Sequence, residues 1–247
     1  MPLSHVNDLP PLPPEAPLTD KLDRSRAVLE AVLASTRPDC AAVAYTGGKD
    51  SGLALFLWRE VLARARTGPL QAISIDTGCK FPQVNAFRDQ LCMDWGVSLA
   101  IVRSGVDLST YPVAQDKLAC CRALKIEPLA AALRETGTTA LLTGIRRDEH
   151  PSRAGRPYAE LRPGPGERAN ACPPHWQIHP VLDWTEMDVW AFLTGQGLPY
   201  CELYHEGYRS LGCMPCTRTA AEDEHERAGR DPDKERQLEI LKGLGYF

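Results

Sequence analysis

The sequence predicts an α/β protein built on a doubly wound, mostly parallel sheet with a cysteine-bearing C-terminal extension. Short apolar runs alternate with amphipathic helical stretches, and a glycine-rich turn follows the first of those runs. Such sheets bind ligands at the carboxyl ends of their strands.

Taken in order, residues 1–19 carry six prolines between Pro2 and Pro17, which predicts a flexible, extended arm. A single domain over residues 20–232 then starts with a helix, whose Leu22, Val28, Leu29, Val32 and Leu33 share one face. Ala41–Tyr45 reads as a buried strand, GLALFLWREVLARAR as an amphipathic helix, and Ala72–Asp76 as a second strand. A helix over Gln83–Trp95, a strand over Ser98–Val102, a helix over Cys121–Thr136 and a strand over Ala140–Thr143 follow. The Pro-, Gly- and Arg-rich stretch Arg153–His175 is too long for an ordinary connection and predicts a mobile active-site loop. Ile178–Leu182 is a short extended run, Thr185 caps a helix over Glu186–Thr194, Ser210–Thr219 is a cysteine-bearing turn, and residues 233–247 form a charged helical tail.

Composition narrows the function. With 247 residues and 43 % apolar content the chain can bury one full core. A net charge of −4 argues against bulk electrostatic binding of nucleic acid; DNA stays possible as a substrate without being indicated by charge. The N-terminus is neither a signal peptide nor a membrane span, so a cytoplasmic protein without membrane attachment is expected. Nine cysteines in a reducing compartment point to metal or redox use for some of them.

The string AVAYTGGKDSGLAL sets Tyr45, Thr46, Gly47, Gly48, Lys49, Asp50 and Ser51 between the first strand and its helix. Glycines allow close approach of backbone to phosphate, and the helix N-terminus, Lys49 and Ser51 favour an anion. The spacing is not that of a Walker A loop. Asp76 and Thr77 end the second strand at the edge where a nucleotide would lie. Gly144, Arg146, Arg147, Asp148 and Arg153 follow the fourth strand, and guanidinium forks suit phosphate or sulfate. Cys120–Cys121 and Cys213-Met-Pro-Cys216 supply four thiols; by spacing alone, zinc, an iron–sulfur cluster and a redox disulfide all stay open.

TGGKDS resembles the S-G-G-K-D-S loop of the PP-loop ATP pyrophosphatases, whose fold is adenine nucleotide alpha hydrolase-like. TGIRRDEHPSRA, PVLDWTEMDVW and YHEGYRSLGCMPCTR resemble the phosphoadenylyl-sulfate reductase family, from residue 40 to about residue 230. The resemblance implies a four-iron, four-sulfur cluster on Cys120, Cys121, Cys213 and Cys216. Two departures stand out: the sequence carries no E-C-G-L-H setting for a nucleophilic cysteine, and its phosphate loop is intact where the reductases' is degenerate.

Those departures lead to the expectation of an ATP pyrophosphatase that adenylates an acceptor for sulfur insertion, as in DNA phosphorothioation. ATP and Mg2+ would be its cofactors besides the cluster, and a cysteine desulfurase or other sulfur donor its partner. A homo-oligomer is expected. Lys49, Asp50, Ser51, Arg146 and Arg147 would be catalytic; Tyr45, Thr46, Gly47, Gly48, Asp76, Thr77, Gly144, Asp148 and Arg153 would contact the nucleotide. The alternatives are an adenylyl-sulfate or phosphoadenylyl-sulfate reductase that borrows a thiol, from Cys79, Cys172 or a partner, to make sulfite, and a non-catalytic nucleotide-sensing subunit.

Overall fold

A computed structural model describes residues 3–162, 172–221, 223–243 and 245. Six strands form one sheet: β1 (Ala41–Ala44), β2 (Gln71–Asp76), β3 (Ser98–Arg103), β4 (Ala140–Leu142), β5 (Ala159–Arg162) and β6 (His175–Ile178). Their order is β3-β2-β1-β4-β6-β5, parallel throughout except for the β5–β6 pair.

Strand alternation splits the core between the two faces of the sheet. Ala41, Val43, Ala140 and Leu142 face one layer, which packs on α1 (Leu18–Ser35), α2 (Lys49–Ala65), α3 (Pro82–Trp95) and α6 (Glu186–Gly195). Ala42, Ala44, Ile73 and Leu141 face the other, against Leu129, Ala132 and Leu133 of α5 (Glu127–Thr136). From β1 the chain winds outward through β2 and β3, then returns on the opposite face to β4, so right-handed crossovers put a switch point between β1 and β4. No helix among the described residues is long and apolar enough to cross a membrane.

Five expectations need correction, the first being the extended run at Ile178–Leu182: the strand there, β6, ends at Ile178, and residues 180–183 are a turn. The proline-rich arm is packed rather than flexible: Leu3 and Val6 are buried in the main core and Asn7 exchanges hydrogen bonds with the backbone of Ala159 at 2.8 and 2.9 Å. A 3-10 turn over Leu3–Asp8 gives those two apolar side chains one face, which the proline count hid. Part of the expected mobile stretch Arg153–His175 is the edge strand β5, while residues 163–171 lie outside the described residues. The helix expected over Cys121–Thr136 begins earlier, as α4 (Lys117–Cys121), and passes through a π turn at Arg122–Ile126 before α5. The charged tail is two short helices, α7 (Pro232–Arg236) and α8 (Leu238–Gly243), with Leu238 and Leu241 buried beside Cys121. The Thr185 cap holds, with Asp188 completing a capping box.

The closest contact at the switch point is backbone on backbone. A Cβ on Gly144, just past β4, would lie 2.4 Å from the Asp50 carbonyl carbon and 2.5 Å from the Ser51 amide nitrogen. Gly144→Ala is expected to cost about 1–3 kcal/mol in urea unfolding because neither backbone can yield. Gly155→Ala, where a Cβ meets nothing within 4 Å, should stay within about 0.5 kcal/mol of wild type. Equal effects would contradict the packing described.

Candidate active site

At the carboxyl end of β1 the chain turns through Tyr45–Gly48 and enters α2 at Lys49. Gly47 has φ +83°, and a Cβ on it would sit 2.8 Å from Val84 Cγ1 and 3.0 Å from the Val84 carbonyl oxygen, so glycine lets the turn press on α3. The Ser51 hydroxyl ties the turn together, accepting from the Thr46 amide at 3.3 Å and donating to the Gly48 carbonyl at 3.0 Å. The first turn of α2 then presents its positive dipole end, and the amides beyond Lys49, to whatever lies above it.

Beneath the turn lies a buried ion network. The Lys49 ammonium donates to Asp50 at 3.1 Å, to the Arg209 carbonyl at 3.3 Å and to Glu226. Arg146 is fully buried; its Nε donates to Asp50 at 2.7 Å, one terminal nitrogen to Asp148 at 3.1 Å and the other to Glu226. Glu226 therefore bridges the loop lysine to the arginine after β4. Glu149 accepts the Arg146 amide at 3.1 Å, pairs with Arg153 and lies 3.6 Å from Arg227. The Tyr204 hydroxyl accepts the Lys49 amide at 2.9 Å, with the ammonium 5.7 Å from its ring centre.

Charge states follow from this pairing. Burial works against the Lys49 ammonium, but Asp50 and Glu226 outweigh it and raise its pKa, so it stays charged. Burial also works against ionised Glu149, and Arg153, Arg146 and Arg227 outweigh it, holding its carboxyl well below the usual range. Asp50, Glu149 and Glu226 bring carboxylate oxygens within 4.8 Å of one another, an approach made tolerable by the cations between them.

Above the network runs a cleft whose two halves share Ala44, Thr46, Leu211 and Arg230. One half is lined by Ile73, Ile75, Val84, Ile126 and Leu129, together with Thr77, Lys80 and Lys125. The other is lined by Gly48, Ser51, Gly144, Arg153 and Arg227, with Asp50 and Glu149 among them. An apolar slot continuous with an arginine-lined recess suits a heteroaromatic base carrying an anionic chain.

Several expected residues lie elsewhere. Tyr45 is buried in the core, beneath the strand end, and lines neither half of the cleft. Arg147 turns away from the cleft: it pairs with Asp183, donates to the Arg156 carbonyl at 2.9 Å and stacks over Tyr158 at 5.2 Å. Asp76 is occupied by Arg103 at 2.6 Å and by the Gly78 amide at 2.9 Å. Asp148 accepts the Glu186 amide at 2.9 Å besides pairing with Arg146. Glu149, Tyr204, Glu226, Arg227, Arg230, Lys80 and Lys125 join the site without having been expected there. Glu149 stood in the string TGIRRDEHPSRA, but nothing in the charged run EHERAGR distinguishes its members from a solvated surface.

Cys120, Cys121, Cys213 and Cys216 line one cavity, with Cys79 and Lys125 beside them. Cys213 reaches its place through an antiparallel bridge to Lys80 and through the Met214 amide, which donates to the Cys79 carbonyl at 2.7 Å. Its Sγ lies 3.3 Å from the Thr77 hydroxyl, so the cavity abuts the cleft. Among the described residues no three cysteine sulfurs lie within 4.8 Å of one another. Burial pushes the Cys213 thiol up, but Lys125, the bond with Thr77, Lys234 and Arg230 bring it down to about 7, which favours the thiolate a metal needs. Burial pushes Cys172 up to about 11 and, with Cys213 and Cys120 nearby, raises Cys79 as well.

A doubly wound sheet with an anion-binding turn at its switch point, opening into a cleft shaped for a base and an anion, defines the PP-loop, adenine nucleotide alpha hydrolase-like class. Residues 40–219 match the phosphoadenosine phosphosulfate reductase domain, and the chain belongs to that family. It is 31 % identical over 220 residues to a phosphoadenosine 5'-phosphosulfate reductase of Xanthomonas campestris, covering 82 % of this chain and 85 % of the relative. It is 38 % identical over 133 residues to an adenosine 5'-phosphosulfate reductase of Neisseria meningitidis, covering 54 % of this chain and 50 % of the relative. The chain spans about half the length of several such reductases that it matches. In fold it is similar to a phosphoadenylyl-sulfate reductase from Candida auris in a phosphate complex, with TM-score 0.65 and 22 % identity over 87 % of this chain and 96 % of the other.

These relatives overturn the expectation of an ATP pyrophosphatase for sulfur insertion, and phosphorothioation with it: the proteins that share this sequence are named as reductases. The intact loop string misled because Lys49, the residue that made it look competent for pyrophosphate, is buried in ion pairs under the cleft.

Arg146→Met is expected to strip Asp50 and Glu226 of a buried partner and to cost about 3–5 kcal/mol. Urea unfolding measures it; a loss below about 1 kcal/mol would place the network outside the determinants of stability.

Proposed function

We propose that the protein reduces a sulfated adenine nucleotide, adenylyl sulfate or its 3'-phosphorylated form, to sulfite with electrons from thiols. The observation that carries this reading is the cleft of a reductase-family chain, in which an apolar slot opens directly into a recess bearing Arg153, Arg227 and Arg230.

In the proposed reaction a thiolate attacks the sulfate sulfur. A sulfur–sulfur bond forms, the sulfur–oxygen bond to the α-phosphate breaks, and adenosine monophosphate (or its 3'-phosphorylated form) leaves. A second thiolate then attacks the thiol sulfur of this thiosulfonate, releasing sulfite and leaving a disulfide; the two thiols supply two electrons and lose two protons. Arg153, Arg227 and Arg230 hold the sulfate and phosphate oxygens by charge-assisted hydrogen bonds, and the amides at the start of α2 stabilise the phosphate as its charge grows. Lys49 keeps the turn in shape from below. The attacking thiols come from a thiol co-substrate, because Cys79 and Cys172 are buried or half-buried with raised pKa values. Cys120, Cys121, Cys213 and Cys216 would hold a four-iron, four-sulfur cluster, which would tie α4 to the C-terminal turn and add a fixed charge behind the cleft.

Purified without oxygen, the protein should release sulfite from adenylyl sulfate or phosphoadenylyl sulfate with dithiothreitol or thioredoxin, and no pyrophosphate from ATP. Arg227→Ala should lower kcat/KM about 100-fold. Pyrophosphate release from ATP without sulfite from either nucleotide would sink the reading. Separately, Cys213→Ser and Cys216→Ser should each lower bound iron and acid-labile sulfide in the anaerobic protein; full retention of both in the two variants would exclude these cysteines as ligands.

A further inference from the structure

The cleft is charged unevenly. Of its lining residues Lys80, Lys125, Arg153, Arg227 and Arg230 are cationic, while Asp50 and Glu149 are anionic. Under its floor Lys49 and Arg146 meet Asp148, Glu226 and Asp50, the last of which also lines the recess. Glu226 is buried, comes from beyond the cysteine turn, and spends one oxygen on Lys49 and the other on Arg146. The ammonium is thereby held out of the cleft, and neither half counts Lys49 among its lining residues. A phosphate chain lying along α2 would find amides and arginines for its first anionic groups, then a floor whose positive charge is already cancelled.

Building on the reductase reading above, we propose that Glu226 determines nucleotide choice: by capturing Lys49 and Arg146 together it makes the phosphate loop accept an adenine nucleotide with a short sulfated anionic chain and refuse the triphosphate. TGGKDS is in this view a pyrophosphate loop whose lysine has been neutralised from within. Glu226 is a specificity residue acting through Lys49, and it does not touch the substrate. A glutamine in its place has a single acceptor oxygen and turns an NH2 group toward the second cation, so one of the two cations must let go. Lys49, with four methylenes and three rotatable donors, is the one able to swing toward the cleft.

Calorimetric titration of the full chain with adenylyl sulfate, phosphoadenylyl sulfate, AMP, ATP and inorganic pyrophosphate tests this. The wild type should bind adenylyl sulfate about 10-fold or more tightly than ATP. Glu226→Gln should strengthen ATP and pyrophosphate binding by about 10-fold, leave AMP within about 3-fold, and lose the gain when Lys49→Met is added. Glu226→Asp is the second variant: it keeps the charge but is too short to span both cations, so a smaller gain of the same sign is expected. Unchanged or weaker ATP and pyrophosphate binding in whichever variants fold overturns the proposal, as does a gain that survives Lys49→Met. A wild type that binds ATP as well as adenylyl sulfate also overturns it. If neither adenylyl sulfate nor phosphoadenylyl sulfate binds the wild type, the reductase reading itself has failed; if either binds tightly and the variants gain nothing, only the role of Glu226 has.

Discussion

Two buried cations, Lys49 and Arg146, share the carboxylates of Asp50 and Glu226, and the site depends on that pairing. Each charge taken out of water costs several kcal/mol, so the four are tolerable only as a set in which every member has partners. The set joins three separate pieces of chain: the start of α2, the loop after β4, and the segment beyond the cysteine turn. It therefore sets where Arg227 and Arg230 stand, one and four residues past Glu226, at the arginine-lined side of the cleft. The backbone contact of Gly144 with Asp50 and Ser51 holds the first two pieces at a fixed distance, and the carboxylate of Glu226 brings in the third.

The cysteine cavity sits on the other side of the same C-terminal segment. Cys213 is bridged to Lys80, touches Thr77 at the end of β2, and shares its cavity with Lys125. Lys80, Thr77 and Lys125 also line the apolar half of the cleft. A group bound by the four cysteines would thus stiffen the wall against which a nucleotide rests. The π turn just after Cys121 widens the helix where Lys125 leaves it, between the cysteine cavity and the cleft.

Much of this was legible in the sequence. Short apolar runs located the central strands, and period-3.6 patterning located α2, α3 and α6, to within a few residues, because long amphipathic stretches leave little choice. The loop Thr46–Ser51 and the cysteine quartet were found because their residue types and spacings are unusual. The arm was misread because six prolines speak for extended chain while saying nothing of Leu3 and Val6, which supply the buried contact. β5 was missed because an antiparallel edge strand of four residues gives almost no periodic signal. Arg147 was assigned to the site and Glu226 was not, for one reason: a charged side chain's partner across the fold cannot be read from its neighbours in sequence. The intact loop lysine then led to the wrong reaction, since its chemistry is decided by a carboxylate 177 residues away.

The central claim is that Glu226 and Arg146 hold the site together as one electrostatic unit. A double-mutant cycle measures it most directly: urea unfolding of wild type, Arg146→Met, Glu226→Gln and the double variant. A favourable coupling energy of about 1–3 kcal/mol is expected, with the double variant more stable than the two single losses combined would give. Additivity within about 0.5 kcal/mol would contradict it, because residues that do not interact add in that way.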